Sequence, residues 1–217
     1  MQLYAHPFSS YCQKVLIALY ENAIPFEFCM LSPEHPDHAA EHARLWPMKR
    51  MPVLVDGSRT VFESSIIIEY LDQHRRGVVR WLPDAPDDAL EVRLLDRFFD
   101  QYVMTPMQRI VLDHLRPAGQ RDPHGVNEAH KLLENAYAWL DTRLAGRDWA
   151  AGTAFTLADC AAAPSLFYAD WVHAIPAACP HVRAYRTRLM VRPSFARAVD
   201  EARPYRSFFP PGAPDRD

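Results

Sequence analysis

Glycine is scarce in this chain, with 7 among 217 residues, whereas proline is frequent at 19. That balance argues against a protein built on many tight hairpins. It favours helices whose starts and connections are marked by proline. No charge of one sign dominates: 24 Lys and Arg against 27 Asp and Glu give a formal net charge of −3. A general basic field for nucleic acid or an anionic membrane is thereby excluded, and any anion site must be local. Long apolar runs are missing too, none approaching the roughly 20 residues that a membrane span needs. The opening segment MQLYAHPFSSYC has no basic stretch followed by an apolar core, so it is not expected to be a secretion signal. The four cysteines, Cys12, Cys29, Cys160 and Cys179, show neither metal spacing nor disulfide density. They are expected to be reduced thiols in a cytoplasmic protein that holds no metal.

What is present is ordinary globular composition, 49% apolar and 24% charged, in a chain long enough to bury a real core. Met1–His6 reads as a short strand and Ser9–Asn22 as a helix with Val15, Leu16, Ala18 and Leu19 on its apolar face. Ser9 or Ser10 is placed to cap that helix. Pro25 ends it, and Phe26–Leu31 alternates as a second strand, parallel to the first. Ser32–Arg50 is polar and expected to be irregular, with a helical turn or two. Met51–Val55 and Arg59–Phe62 read as a strand pair across an Asp56-Gly57 turn, followed by a helix over Ile66–His74.

The texture then changes. Leu82–Asp88 has the composition of a linker, and all that follows has helical period. Leu94, Leu95, Phe98, Phe99, Tyr102 and Val103 mark a long helix expected to bend at Pro106. Further helices are read over Leu132–Leu144, Thr156–Asp170, Pro180–Met190 and Pro193–Ala202, with a loose tail. The expected fold is a thioredoxin-like α/β domain with a mixed four-stranded sheet (residues 1–77), a linker (78–88) and an all-α domain (89–217).

Four local features bear on chemistry. Ser9-Ser10-Tyr11-Cys12 lies at a strand-to-helix turn, where free N–H groups and the helix dipole favour an anion. Met51-Pro52 opens a strand; a cis bond there would turn the Met51 backbone toward a ligand, and the alternative is a tight strand entry. Glu63-Ser64 opens another helix and offers a carboxylate for an ammonium group, with a hydroxyl and N–H for a carboxylate. Its alternative role is a helix cap. Thr156 and Asp159 have capping-box spacing, which is structural in any reading.

These features, in this order, resemble the cytosolic glutathione transferases. SSYCQKVLIAL is similar to the first helix of serine-type members of zeta, tau and phi character. MPVLVD with FESSIIIEYL is similar to their glutathione-binding core, and FTLAD to the cap of their helical domain. The resemblance spans about Met1 to Ala202. It implies a detoxifying enzyme that uses glutathione as co-substrate, with Ser9, or Ser10 one register away, as the catalytic serine. Met51 would pair with the cysteinyl backbone, Pro52 would be the cis-proline, and Glu63 and Ser64 would clamp the γ-glutamyl group. Lys49 or Arg50 would meet the glycyl carboxylate; this chain has lysine-arginine where many members have glycine-lysine. Tyr4 is a rival for the catalytic role. A homodimer is implied, with no nucleic-acid or membrane partner.

Tyr11, Tyr102, Met104, Met107 and Trp171 are candidates for an apolar electrophile pocket between the domains, each with core packing as its alternative. Two rivals stand beside the transferase. A thiol-disulfide enzyme would use Cys12, in the second position of a C-x-x-C-like spacing. A non-catalytic scaffold would keep the fold without the chemistry. A glutathione-dependent isomerase is a further variant, weakened because Tyr11 interrupts the zeta-type run of two serines and cysteine.

Overall fold

The computed structural model describes residues 1–217. Four short strands, β1 (Gln2–Ala5), β2 (Glu27–Met30), β3 (Val53–Asp56) and β4 (Arg59–Phe62), form one mixed sheet in the order β2-β1-β3-β4. β1 pairs in parallel with β2, placing Tyr4 opposite Cys29, and antiparallel with β3, placing Tyr4 opposite Val53. Central strands read as apolar because both faces are covered: Leu3, Tyr4, Ala5, Val53 and Leu54 are all buried.

Helices α1 (Ser10–Glu21) and α3 (Ser64–His74) cover one face and α2 (Pro36–Leu45) the other. α2 is a ten-residue helix where a mostly irregular segment was expected. Its only buried residue is His42, so it carries no apolar stripe that periodicity could detect. α1 is buried from Cys12 to Leu19 without a break because it is packed between the sheet and the helical domain.

That domain comprises α4 (Pro86–Phe98), a π-helical segment (Phe99–Met104), α5 (Thr105–Asp113), α6 (Pro123–Leu144), α7 (Leu157–Val172), α8 (Pro180–Met190) and α9 (Pro193–Ala202). α7 is its axis, with every residue from Leu157 to Asp170 buried. Ala161, Ala162 and Ala163 let neighbours approach closely. The irregularity expected at Pro106 takes the form of wide turns just before it. Pro106 follows within the same continuous helix, where the widened turns make room for its ring and missing N–H.

Two segments expected to be loose are fastened. In the linker, Trp81 is fully buried and its backbone N–H donates to Asp72 Oδ1 at 2.9 Å. Asn22 grips Val79 through both backbone groups, at 2.8 and 3.0 Å. Gly77 is required by this grip, since a Cβ there would lie 2.3 Å from the Asn22 side chain. In the tail, Phe209 is buried, Arg216 pairs with Asp170, and Asp217 pairs with Arg203 and Arg206.

Candidate functional site

A cleft of about 540 Å³ opens where the start of α1, the entry to β3 and the start of α3 face the α4–π–α5 helix. Ser9, Tyr11, Lys49, Arg50, Met51, Pro52, Glu63 and Ser64 all line it. Two helix N-termini therefore converge on one space, which suits a ligand with more than one anionic group.

Ser9 holds the N-cap position of α1 with extended backbone, yet its side chain makes no capping bond. Its backbone carries the junction instead: the N–H donates to His6 O at 3.0 Å and the carbonyl accepts from Gln13 at 2.9 Å. The hydroxyl makes no bond to the helix backbone; its neighbour there is the Cys12 thiol. Ser10 lies in the first turn, 8% exposed, and is not part of the cleft wall. Tyr4 is buried in β1, edge-on to His38 on the α2 side of the sheet, also away from the cleft.

At β3, Met51-Pro52 is cis. The preceding Arg50 carbonyl sits 3.0 Å from His42 Nε2 of α2. Lys49 has a φ of 52° and Glu63 a φ of 66°. Left-handed backbone at a non-glycine residue costs about 1–3 kcal/mol and persists only where the surroundings impose it. Glu63 is fixed by its position as N-cap of α3, where its carbonyl accepts from Ile67 at 2.8 Å. The sequence offered no sign of either conformation.

The opposite wall was not read from the sequence. Arg97, Asp100, Gln101, Thr105 and Gln108 border the cleft from the helical domain. Their spacing marks one polar stripe, which from sequence alone is indistinguishable from a solvated helix face. Behind the stripe lies Lys14 of α1, 1% exposed. Its Nζ is 2.6 Å from Asp96 Oδ1, 2.9 Å from Asp100 Oδ2 and 2.9 Å from Ser65 Oγ. Ser65 Oγ in turn donates to Asp96 Oδ2 at 2.8 Å. One buried cation thus joins α1, α3 and α4. Burial raises the Asp100 carboxyl above the usual carboxylate range against the pull of Lys14. Burial, then the nearby Asp100 and Glu63, also raises the Tyr11 phenol, so its hydroxyl remains a donor at neutral pH.

Of the five residues expected to form an electrophile pocket, Tyr11 alone borders the cleft. Met104 and Met107 are 1% and 5% exposed in the main core, the packing alternative foreseen for them. Tyr102 is turned outward and lies 5.3 Å from the Phe98 ring. Trp171 packs with Phe8, Phe167, Tyr168 and Phe209 in a separate aromatic cluster. Packing therefore accounts for the two methionines and for Trp171, and leaves Tyr11 in the cleft and Tyr102 at the surface. Cys12 is fully buried, and burial pushes its thiol up to about 11 against hydrogen bonding from Ser9 and the His6 backbone.

The helical-domain cap forms around Asp159. Its carboxylate accepts from the N–H groups of Thr156 and Ala150, both at 2.8 Å, and from the Tyr185 hydroxyl at 2.5 Å. These bonds fasten the start of α7 to α8 and to the loop before α7.

The chain matches known proteins along nearly its full length. Residues 3–78 match the family model described as "Glutathione S-transferase, N-terminal domain", and residues 123–188 match "Glutathione S-transferase, C-terminal domain". Among curated proteins it is 26% identical over 204 residues to a stringent starvation protein A homolog of Coxiella burnetii, covering 93% of this chain and 92% of that protein. It is 25% identical over 195 residues to glutathione S-transferase GstB of Escherichia coli, covering 88% and 93%. Among solved structures it superposes on a glutathione S-transferase of Methylobacterium radiotolerans, in complex with glutathione sulfonate, with a TM-score of 0.78. That pair is 30% identical, with 91% and 93% of the two chains covered. With both domain models matched in order on one mixed sheet and one helical domain, the chain belongs to the glutathione S-transferase family.

Proposed function

We propose that the chain is an active glutathione transferase, binding glutathione in the cleft and sending its thiolate onto a small electrophile. The observation that carries this reading is the Ser9 hydroxyl, free of any capping bond at a helix N-terminus, in the same cleft as Met51, Glu63 and Ser64. Glu63 takes the γ-glutamyl ammonium, and Ser64 with the α3 N-terminus takes the neighbouring carboxylate. The Met51 backbone pairs with the cysteinyl unit, and Lys49 or Arg50 meets the glycyl carboxylate. Glutathione sulfonate in the Methylobacterium radiotolerans relative supports a ligand of this class.

The energetics are sufficient without a general base. A thiol with a pKa of about 8.5 is only about 3% ionised at pH 7. Lowering it by about two units requires about 2.7 kcal/mol of preferential stabilisation of the thiolate. One hydrogen bond from Ser9 to the anion supplies about 1.5–3 kcal/mol. The N-terminus of α1 adds about 0.3–1 kcal/mol. Ser9 acts as a donor to the thiolate and does not itself attack.

The electrophile space is bordered by Arg97, Gln101, Thr105 and Gln108. An apolar substrate, expected from sequence, would leave these groups unpartnered on closure. The second substrate is accordingly one with polar, hydrogen-bonding groups. The thiol-disulfide rival fits less well, because Cys12 is buried and weakly acidic.

A non-catalytic interaction protein is the second reading, supported by the similarity to a stringent starvation protein A homolog. Calorimetric titration with glutathione separates the two. Saturable binding in the micromolar-to-millimolar range, abolished by the double change Glu63→Ala and Ser64→Ala, is expected of the enzyme. A folded protein that takes up no glutathione withdraws the transferase reading.

A further inference from the structure

A cavity of about 380 Å³ lies among the end of α7, the loop that follows it, α8 and the tail. Three guanidinium groups border it: Arg183 and Arg186, one helical turn apart on α8, and Arg216 of the tail. One carboxylate borders it, that of Asp170, and that carboxylate is already engaged. Its Oδ1 accepts from the Ile175 N–H at 2.8 Å, and its Oδ2 serves both Arg216 and, at 3.5 Å, Arg186. Arg183 has no acidic partner within 4 Å, so the cavity rim carries two positive charges more than negative ones.

Arg186 makes the imbalance informative. Its side chain is only 14% exposed; its buried Nη2 comes no closer than 3.5 Å to Asp170, and its buried Nε has no hydrogen-bond partner. Withholding acceptors from buried charged donors is costly, and native proteins rarely do so without a reason. Burial disfavours its cationic form against the pull of Asp170 and Asp217, and the like charge of Arg216 adds to the burial effect. Planar guanidinium forks suit a tetrahedral oxyanion, which accepts from several of them at once.

We propose that this cavity binds a phosphate-bearing small molecule, with Arg183, Arg186 and Arg216 holding the phosphate dianion and the remaining volume accommodating the group it is attached to. A dianion cancels the two excess charges, which a single carboxylate would not. The site is separate from the glutathione cleft and shares no residue with it.

The test is calorimetric titration of the full chain with inorganic phosphate and, separately, with pyrophosphate. Ionic strength is held constant with chloride, and saturating glutathione is present so that Lys49 and Arg50 are covered. One saturable site is expected. Its affinity should fall about tenfold or more in Arg183→Gln and again in Arg216→Gln, the effect of removing one charge-assisted bond each. These two exposed residues are chosen because Arg186→Gln would also disturb packing on Phe167. Unchanged thermal midpoints of both variants report an intact fold. An absence of saturable phosphate or pyrophosphate heat in the parent protein overturns the proposal, as does binding that both variants retain.

Discussion

Ser9 shows how much one side chain can decide when its neighbours take over its ordinary duty. A serine at an N-cap usually accepts from the second or third N–H of the helix, for about 1 kcal/mol. Here the hydroxyl makes no such bond. Its removal should therefore cost little stability and much rate. Ser9→Ala is predicted to lower kcat/KM by about tenfold to a hundredfold, from the loss of one bond to a developing anion. Glutathione affinity by calorimetry should stay within about threefold. Unchanged turnover would pass the role to another donor, with Tyr11 the next in the cleft. At this scale, the helix starts at Ser9 and at Glu63-Ser64 were legible because a helix start is a local event written in adjacent residues. The positive φ of Glu63 and Lys49 was not, since nothing in the residue types demands it. The inward burial of Met104 and Met107 was legible only as one of two alternatives, because an apolar stripe does not say which body it will face.

At the scale of elements, helix boundaries marked by proline could be read closely. α8 and α9 start at Pro180 and Pro193 and end at Met190 and Ala202, as periodicity indicated. α2 escaped because its mostly solvent-facing surface carries no stripe, and the π-helical turns before Pro106 escaped because they shift the register that a 3.6-residue period assumes. What binds the elements around the cleft is the buried group of Lys14, Ser65, Asp96 and Asp100. Removing the cation strands two carboxylates in a desolvated place. Lys14→Met is predicted to destabilise by about 3–5 kcal/mol. The triple change Lys14→Met, Asp96→Asn and Asp100→Asn should recover part of that loss, because no net charge is left buried. Urea unfolding midpoints at constant m-value measure both. Equal losses in the single and triple variants would show that the charges do not act as a unit.

Across the whole molecule, one face is notable for what it leaves uncovered. Ile66 of α3 is 48% exposed, and Leu90 and Leu94 of α4 are 65% and 55% exposed. They flank the ion pair between Glu69 and Arg93, whose closest atoms are 2.9 Å apart. An apolar surface around a central ion pair is suited to self-association about a twofold axis. We propose that the homodimer implied by the family resemblance forms here. Leu94→Glu combined with Leu90→Glu is predicted to convert a sedimenting dimer to monomer while the far-ultraviolet circular dichroism is kept. A dimer that survives the double change would move the interface elsewhere.

Lys14 belongs to the sheet domain and its carboxylate partners to the helical one, and this bears on how such chains can diversify. A recombination that exchanges either domain for that of a relative separates the cation from Asp96 and Asp100 unless the donor carries the matching set. Whatever changes at the cleft, the junction behind it has to be inherited whole. Exchange of domains between lineages is therefore restricted to partners that share this lock.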